Sequence, residues 1–151
     1  MVATPPLTVR VTRRFEAAPE RVFDAWLEPE TVRAWLTAVQ GKATPGELVR
    51  VEIDARVGGA FTFIYRNGGE EVSQAGVYLE IDRPRRLAFT WRMPSFDADF
   101  GRVVVEIAPR EKGCELTLTH EMDPAWADHA EGAESGWTLV LGAMAETVVN
   151  G

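Results

Sequence analysis

The sequence predicts an α+β fold in which a curved, seven-stranded antiparallel sheet wraps around a long C-terminal helix, with two short helices between the first two strands. Three observations carry that prediction. Runs with apolar residues at every second position fill residues 48–122 and are separated by turns too short for crossover helices, so neighbouring strands are antiparallel. Pro19 and Pro29 each stand where a first helical residue belongs, because a proline there gives up only an N–H that has no partner. Beyond residue 124 the apolar spacing changes to three and four, the period of a helix.

Taken in order, Leu7, Val9 and Val11 alternate with polar neighbours and predict a strand over 7–15. Val22, Phe23 and Trp26 line one face of the first short helix; Val32, Trp35 and Leu36 line one face of the second. QGKATPGE (40–47) reads as a loop. LVRVEID (48–54) and AFTFIYR (60–66) are strands joined through Gly58–Gly59, and NGGEE (67–71) is the next turn. In AGVYLEIDRPRRLAFTW (75–91), one alternating run (Val77, Leu79, Ile81) passes into another (Leu87, Phe89, Trp91) across a charged turn holding Pro84. Both runs are expected to place those side chains on the covered face. Tyr78 is out of phase with Val77 and Leu79; a bulge could turn it inward, and the spacing leaves its face open.

Val103, Val105 and Ile107 are in phase in GRVVVEIAP (101–109), as are Leu116, Leu118, His120 and Met122 in CELTLTHEM (114–122). The closing stripe is Trp126, Ala130, Ala133, Trp137, Val140, Leu141, Met144 and Val148, with Glu131, Glu134 and Glu146 off it. An interior glycine costs a helix about 1 kcal/mol, so Gly132 and Gly136 predict a break, a kink or a close approach to the sheet. A sheet closed around one helix in this way is a helix-grip arrangement.

The bulk numbers suit one domain spanning 1–151: a chain of 151 residues buries roughly 70% of its unfolded surface. Cys114 is the one cysteine, which excludes an intrachain disulfide and fits a reducing cytosol; a cytoplasmic location is the expectation. MVATPPLTVR lacks the apolar stretch of a signal peptide, and no run approaches the roughly 20 apolar residues of a membrane span. A net charge of −7 argues against nucleic acid, and Arg83, Arg85 and Arg86 read as a solvated turn rather than an anion site. No cofactor or metal is expected. His120 and His129 lack the one-turn spacing of a metal pair, Gly58–Gly59 lacks the phosphate-loop pattern, and Cys114 has no base beside it.

The residues also carry a resemblance. FEAAPERVFDAWLEPETVRAWL (15–36), VGGAF (57–61), GVYLEIDRPRRLAFTW (76–91), ELTLTHE (115–121) and GWTLVLGAM (136–144) resemble the activator of heat-shock protein 90 ATPase homologue-like family of the START-like (SRPBCC) superfamily. The resemblance implies the helix-grip fold over nearly the whole chain. It also implies membership in a group that includes lipid and sterol carriers, polyketide cyclases, aromatases and hormone receptors, a range the fold alone does not narrow. The family's chaperone activity belongs to longer proteins with an additional N-terminal domain. Six residues precede the first strand, so that domain and a chaperone contact are not expected here.

Where the sheet and helix face each other, two readings stand open: a closed core, or an elongated apolar pocket for a small hydrophobic or aromatic molecule. Its walls would be Phe61, Phe63 and Tyr65 from one strand, Leu87, Phe89, Trp91 and Met93 from another, and Trp137, Leu141 and Met144 from the helix. His120 should point inward, either orienting a ligand, moving a proton or bonding a neighbour. The hydroxyl of Tyr65 either serves a ligand or reaches the rim. Glu106 and Arg92 read as solvated strand charges. MPSFDADFG (93–101), with Phe96 and Phe100 flanking Asp97 and Asp99, suits either an aromatic lid or an ordinary hairpin connection. Three uses follow: a binding protein, a cyclase- or hydrolase-like enzyme with His120 or Tyr65 handling protons, or a module whose outer surface contacts a chaperone or a second copy of itself.

Overall fold

The computed structural model describes residues 7–40, 42–44, 46–94 and 98–150. Its strands are β1 (Leu7–Phe15), β2 (Glu47–Ile53), β3 (Ala60–Asn67), β4 (Glu70–Asp82), β5 (Arg86–Met93), β6 (Ala98–Arg110) and β7 (Gly113–Met122). The helices are α1 (Pro19–Asp24), α2 (Pro29–Ala38) and α3 (Ala130–Asn150). The seven strands form one antiparallel sheet in the order β1-β7-β6-β5-β4-β3-β2. Its curved inner face meets α3, which packs against β1 at one edge and against α2; α2 in turn contacts β2 at the other. The core lies in that grip, where Leu87, Val103, Val105, Leu116, Leu118, Leu141 and Met144 are wholly buried.

Pro19 and Pro29 open α1 and α2, and the buried faces are the predicted ones, Val22–Phe23 and Val32, Trp35, Leu36. Asp24 of α1 clamps Arg83 of the β4–β5 turn through two hydrogen bonds of 2.7 and 2.9 Å. Arg85 pairs with Asp82, and Arg86 with Glu80 and Glu106, so each arginine of that turn already has a carboxylate partner.

The structure corrects the sequence reading along β4. The turn before it is only Gly68–Gly69, both at positive φ (60° and 90°), as a two-residue hairpin turn requires, so the strand starts at Glu70 and not beyond 71. Val77 and Leu79, expected to be covered, are 40% and 45% exposed, whereas Tyr78 is 3% exposed. The pairing explains it: Tyr78 lies opposite Phe89 but Glu80 lies opposite Ala88, which makes Leu79 the extra residue of a bulge. Before the bulge Val72, Gln74, Gly76 and Tyr78 face inward; after it Ile81, opposite Leu87, does. One inserted residue has exchanged the two faces of the strand.

Gly76 sits where the Phe61 ring crosses β4, and a Cβ there would run into that ring and the Thr90 carbonyl. Gly76→Ala is therefore expected to destabilise the fold by about 1–3 kcal/mol, readable as a lower midpoint in urea at unchanged slope. A neutral result would mean that both the ring and the Thr90 backbone give way.

The C-terminal segment also differs from expectation. The break falls earlier, in a 3-10 turn over Pro124–His129 capped by Asp123, whose side chain accepts from Ala125 N at 2.8 Å. From Ala130 the helix runs unbroken through both glycines. Neither is pressed on the sheet: a Cβ at Gly132 or Gly136 would meet nothing within 4 Å. Likewise β6 begins at Ala98, so Asp99 and Phe100 are strand residues; Phe96 and Asp97 lie outside the described residues.

Candidate functional site

Strands β3, β4 and β5 bring a continuous set of aromatic rings onto the inner face, met by α1, α2 and α3 from above. Phe61 contacts Phe63, Tyr78, Phe89 and Trp91 at centroid distances of 5.1 to 6.0 Å. Trp137 of α3 closes on Trp91 at 5.2 Å, and Trp26 bridges Trp35, Phe89 and Trp137 at 5.7 to 6.3 Å. This part of the grip is nearly solid. It retains a cavity of about 20 Å³, room for roughly one water, walled by Trp26, Phe61, Phe63, Phe89, Trp91 and Trp137 among others. Trp26 Nε1 is buried there with no hydrogen-bond partner, alone in this among buried side-chain polar atoms of the described residues.

On the other side of Trp91 and Trp137 the surfaces part. A cavity of about 320 Å³ opens between β4–β7 and the first two turns of α3. Its walls include Trp35, Trp91, Met93, Met122 and Trp137, and its floor on the helix side is Gly132, Ala133 and Gly136. The glycines and alanine recur on one face, so three successive positions that could carry large side chains carry almost none. The hollow exists because the helix withholds volume there.

Of the eleven residues expected from the sequence to form the site, Trp91, Met93, His120 and Trp137 line this larger cavity. Phe61, Phe63, Leu87 and Phe89 line only the small inner one. Tyr65, Leu141 and Met144 are fully buried and line neither. The sequence reading did not select Trp35, Gln74, Met122, Gly132 or Gly136 for the site, and it named Phe100 only as part of a candidate lid. Gln74 had a readable signal, a polar residue in phase with Val72 and Tyr78, but only once β4 is known to begin at Glu70.

His120 is 2% exposed and both its ring nitrogens are engaged. Trp137 Nε1 donates to Nδ1 at 3.1 Å, and Nε2 lies 2.8 Å from the Phe100 carbonyl oxygen. Since an indole only donates, Nδ1 must be the acceptor, and the proton resides on Nε2. Burial holds the imidazole pKa below its ordinary 6.5, with the Phe100 bond opposing more weakly. Neither nitrogen has a lone pair or proton to spare for a substrate. Thus the histidine fastens Trp137 to β7 and to the start of β6.

A second polar pair lies on the sheet. Tyr65 Oη donates to Gln74 Oε1 at 2.7 Å, and burial raises the Tyr65 pKa, so the phenol stays protonated. At the mouth, Phe100 meets Trp126 at a centroid distance of 4.8 Å with the rings tilted by 49°, Trp126 Nε1 donates to the Asp99 carbonyl at 2.9 Å, and His129 packs against both rings. Asp128 and His129 stand exposed at this rim. Among the described residues no three His, Cys, Asp or Glu side chains converge as a metal site would require, and no helix is long and apolar enough to cross a membrane.

Comparison with known proteins follows the same lines. The family model of the Activator of Hsp90 ATPase homolog 1-like protein matches residues 16–149. Among solved structures, protein CV1439 from Chromobacterium violaceum is 30% identical with a TM-score of 0.76, over 93% of this chain and 96% of that one. The Mll3558 protein from Rhizobium loti is 29% identical with a TM-score of 0.73, over 94% and 96%. An AHSA1-like protein from Aeromonas hydrophila, at 20% identity, shares the fold with a TM-score of 0.73 over 95% and 93% of the two chains. No protein with a curated description matches at a significant level.

Proposed function

We propose, on the premise that the chain belongs to the Activator of Hsp90 ATPase homolog 1-like family, that it is a single-domain cytoplasmic binding protein for a small apolar or aromatic molecule. The ligand lies in the larger cavity, between the sheet and the start of α3. The observation that carries this is the cavity of about 320 Å³ beneath two helix glycines at which a Cβ would meet nothing within 4 Å. Its size falls at the lower end of small-molecule sites, which are mostly apolar with a few placed polar groups. Trp35, Trp91 and Trp137 supply broad, rigid surfaces, Met93 and Met122 adaptable ones. Each 100 Å² of apolar ligand surface buried contributes about 2.5 kcal/mol before the cost of association is subtracted.

Binding without chemistry is the use these groups support best. A general acid or base must reach the substrate, and the buried histidine spends both nitrogens on Trp137 and Phe100. The test is titration with the dye N-phenyl-1-naphthylamine, following its emission and the quenching of tryptophan. One saturable site per chain with both signals changing together supports the reading. Dye that binds only after heating, or without touching tryptophan emission, would refute it.

A further inference from the structure

The larger cavity contains a hydrogen-bond donor that the protein leaves unused. Tyr65 Oη donates to Gln74 Oε1 at 2.7 Å, which leaves the amide nitrogen as the end that Tyr65 does not engage. Gln74 is 8% exposed and lines the cavity, and its amide nitrogen makes no hydrogen bond among the described residues. An N–H at the cavity wall is open to solvent until a guest covers it, and a guest that covers it must supply an acceptor in place of water.

The charges around it narrow the acceptor further. Lysine and arginine are absent from the described lining, and its one carboxylate, Asp128, is at the exposed rim beside His129. An anionic group brought against Gln74 would lose its water with no counter-charge in reach. A neutral carbonyl oxygen loses far less and gains the same bond. The indole walls favour flat rings over flexible chains.

We infer that the ligand is an uncharged ring compound bearing a carbonyl oxygen, packed on Trp91 and Trp137 with that oxygen accepting from Gln74 Nε2–H. This rests on the cavity reading above and makes it chemically specific. Tyr65, which lines no cavity, becomes a positioning residue that keeps the amide turned the right way.

Three probes of one ring size separate the possibilities: 2-acetylnaphthalene, 2-ethylnaphthalene and 2-naphthoate, each displacing N-phenyl-1-naphthylamine from the full chain at pH 8. The ketone is expected to bind about tenfold more tightly than the ethyl compound, and the carboxylate more weakly than the ketone. In Gln74→Met the ketone should fall to the level of the hydrocarbon, whose own affinity stays unchanged. Tyr65→Phe should narrow the ketone preference while sparing hydrocarbon binding, which gives a second reading should the methionine variant fail to fold. Equal affinity for ketone and hydrocarbon, a preference that survives Gln74→Met, or tightest binding of the carboxylate would each overturn the inference and leave the apolar cavity standing. Failure of all three to displace bound dye would remove both.

Discussion

Gly136→Leu is expected to make the protein more stable and unable to take up its ligand. A glycine inside a helix costs about 0.8–1.0 kcal/mol relative to a good helix former, and nothing lies within 4 Å of a Cβ at this position. The backbone is helical there, so leucine meets no strain. Its side chain projects into the cavity and gains further from leaving water. For a chain of this length each kcal/mol raises the melting temperature by roughly 2–4 °C, so a rise of several degrees should appear in calorimetry. In the same protein, affinity for N-phenyl-1-naphthylamine should fall at least about tenfold, because the added group occupies the volume the dye needs. Gly136→Ala should show the stability gain with a much smaller loss of binding. A variant that melts lower would mean the space is not there; one that melts higher yet binds as before would place the site elsewhere.

His120→Leu is expected to cost about 2–4 kcal/mol, although leucine fits the space and the strand phase. The substitution leaves the Trp137 indole N–H buried without an acceptor and the Phe100 carbonyl without its donor. Trp137→Phe removes the same donor, so the double variant should cost clearly less than the two single changes together. The pH dependence provides a separate check. Burial lowers the His120 pKa in the folded chain, so the unfolded chain takes up the proton first as acid is added. The histidine's contribution is therefore complete above its ordinary value of 6.5, declines as pH falls below that, and stops changing below the native pKa. Unfolding free energy in urea, measured from pH 8 down to 5, should show this slope in the wild type and lose it in His120→Leu. An identical slope in both would assign the effect to other groups. Protonation of the folded chain places a second donor opposite the Trp137 N–H and loosens the indole that separates the two cavities, so dye affinity should hold through that interval and weaken only as pH falls through the lowered native pKa.

Both results turn on Trp137, whose position the sequence indicated and whose role it did not. Its place on the apolar stripe of the last helix was legible from spacing alone, as was the inward direction of His120 from its phase with Leu116 and Leu118. That the two bond to each other was not legible, because β7 and α3 are brought together by the closure of the sheet and not by any local pattern.

Local physics is why the element order could be read. A proline at a first helical position, glycines in two-residue turns and a switch from period two to period three or four all act over a few residues, and each survives in the fold. The same reasoning failed at Leu79, since one inserted residue reverses which side of β4 is covered and leaves only a small trace in composition. Hence Val77 and Leu79 were assigned to the interior and Gln74 was overlooked.

What the amino-acid order determined by itself, then, is the set of strands and helices, their order along the chain, and the aromatic inner face. Tertiary structure alone decided where that face is packed and where it is hollow. A cavity is a small difference between the volume enclosed by distant elements and the volume their side chains fill. Trp91 and Trp137 happen to meet, while Gly132 and Gly136, on the adjoining surface of the same helix, leave the sheet unmet.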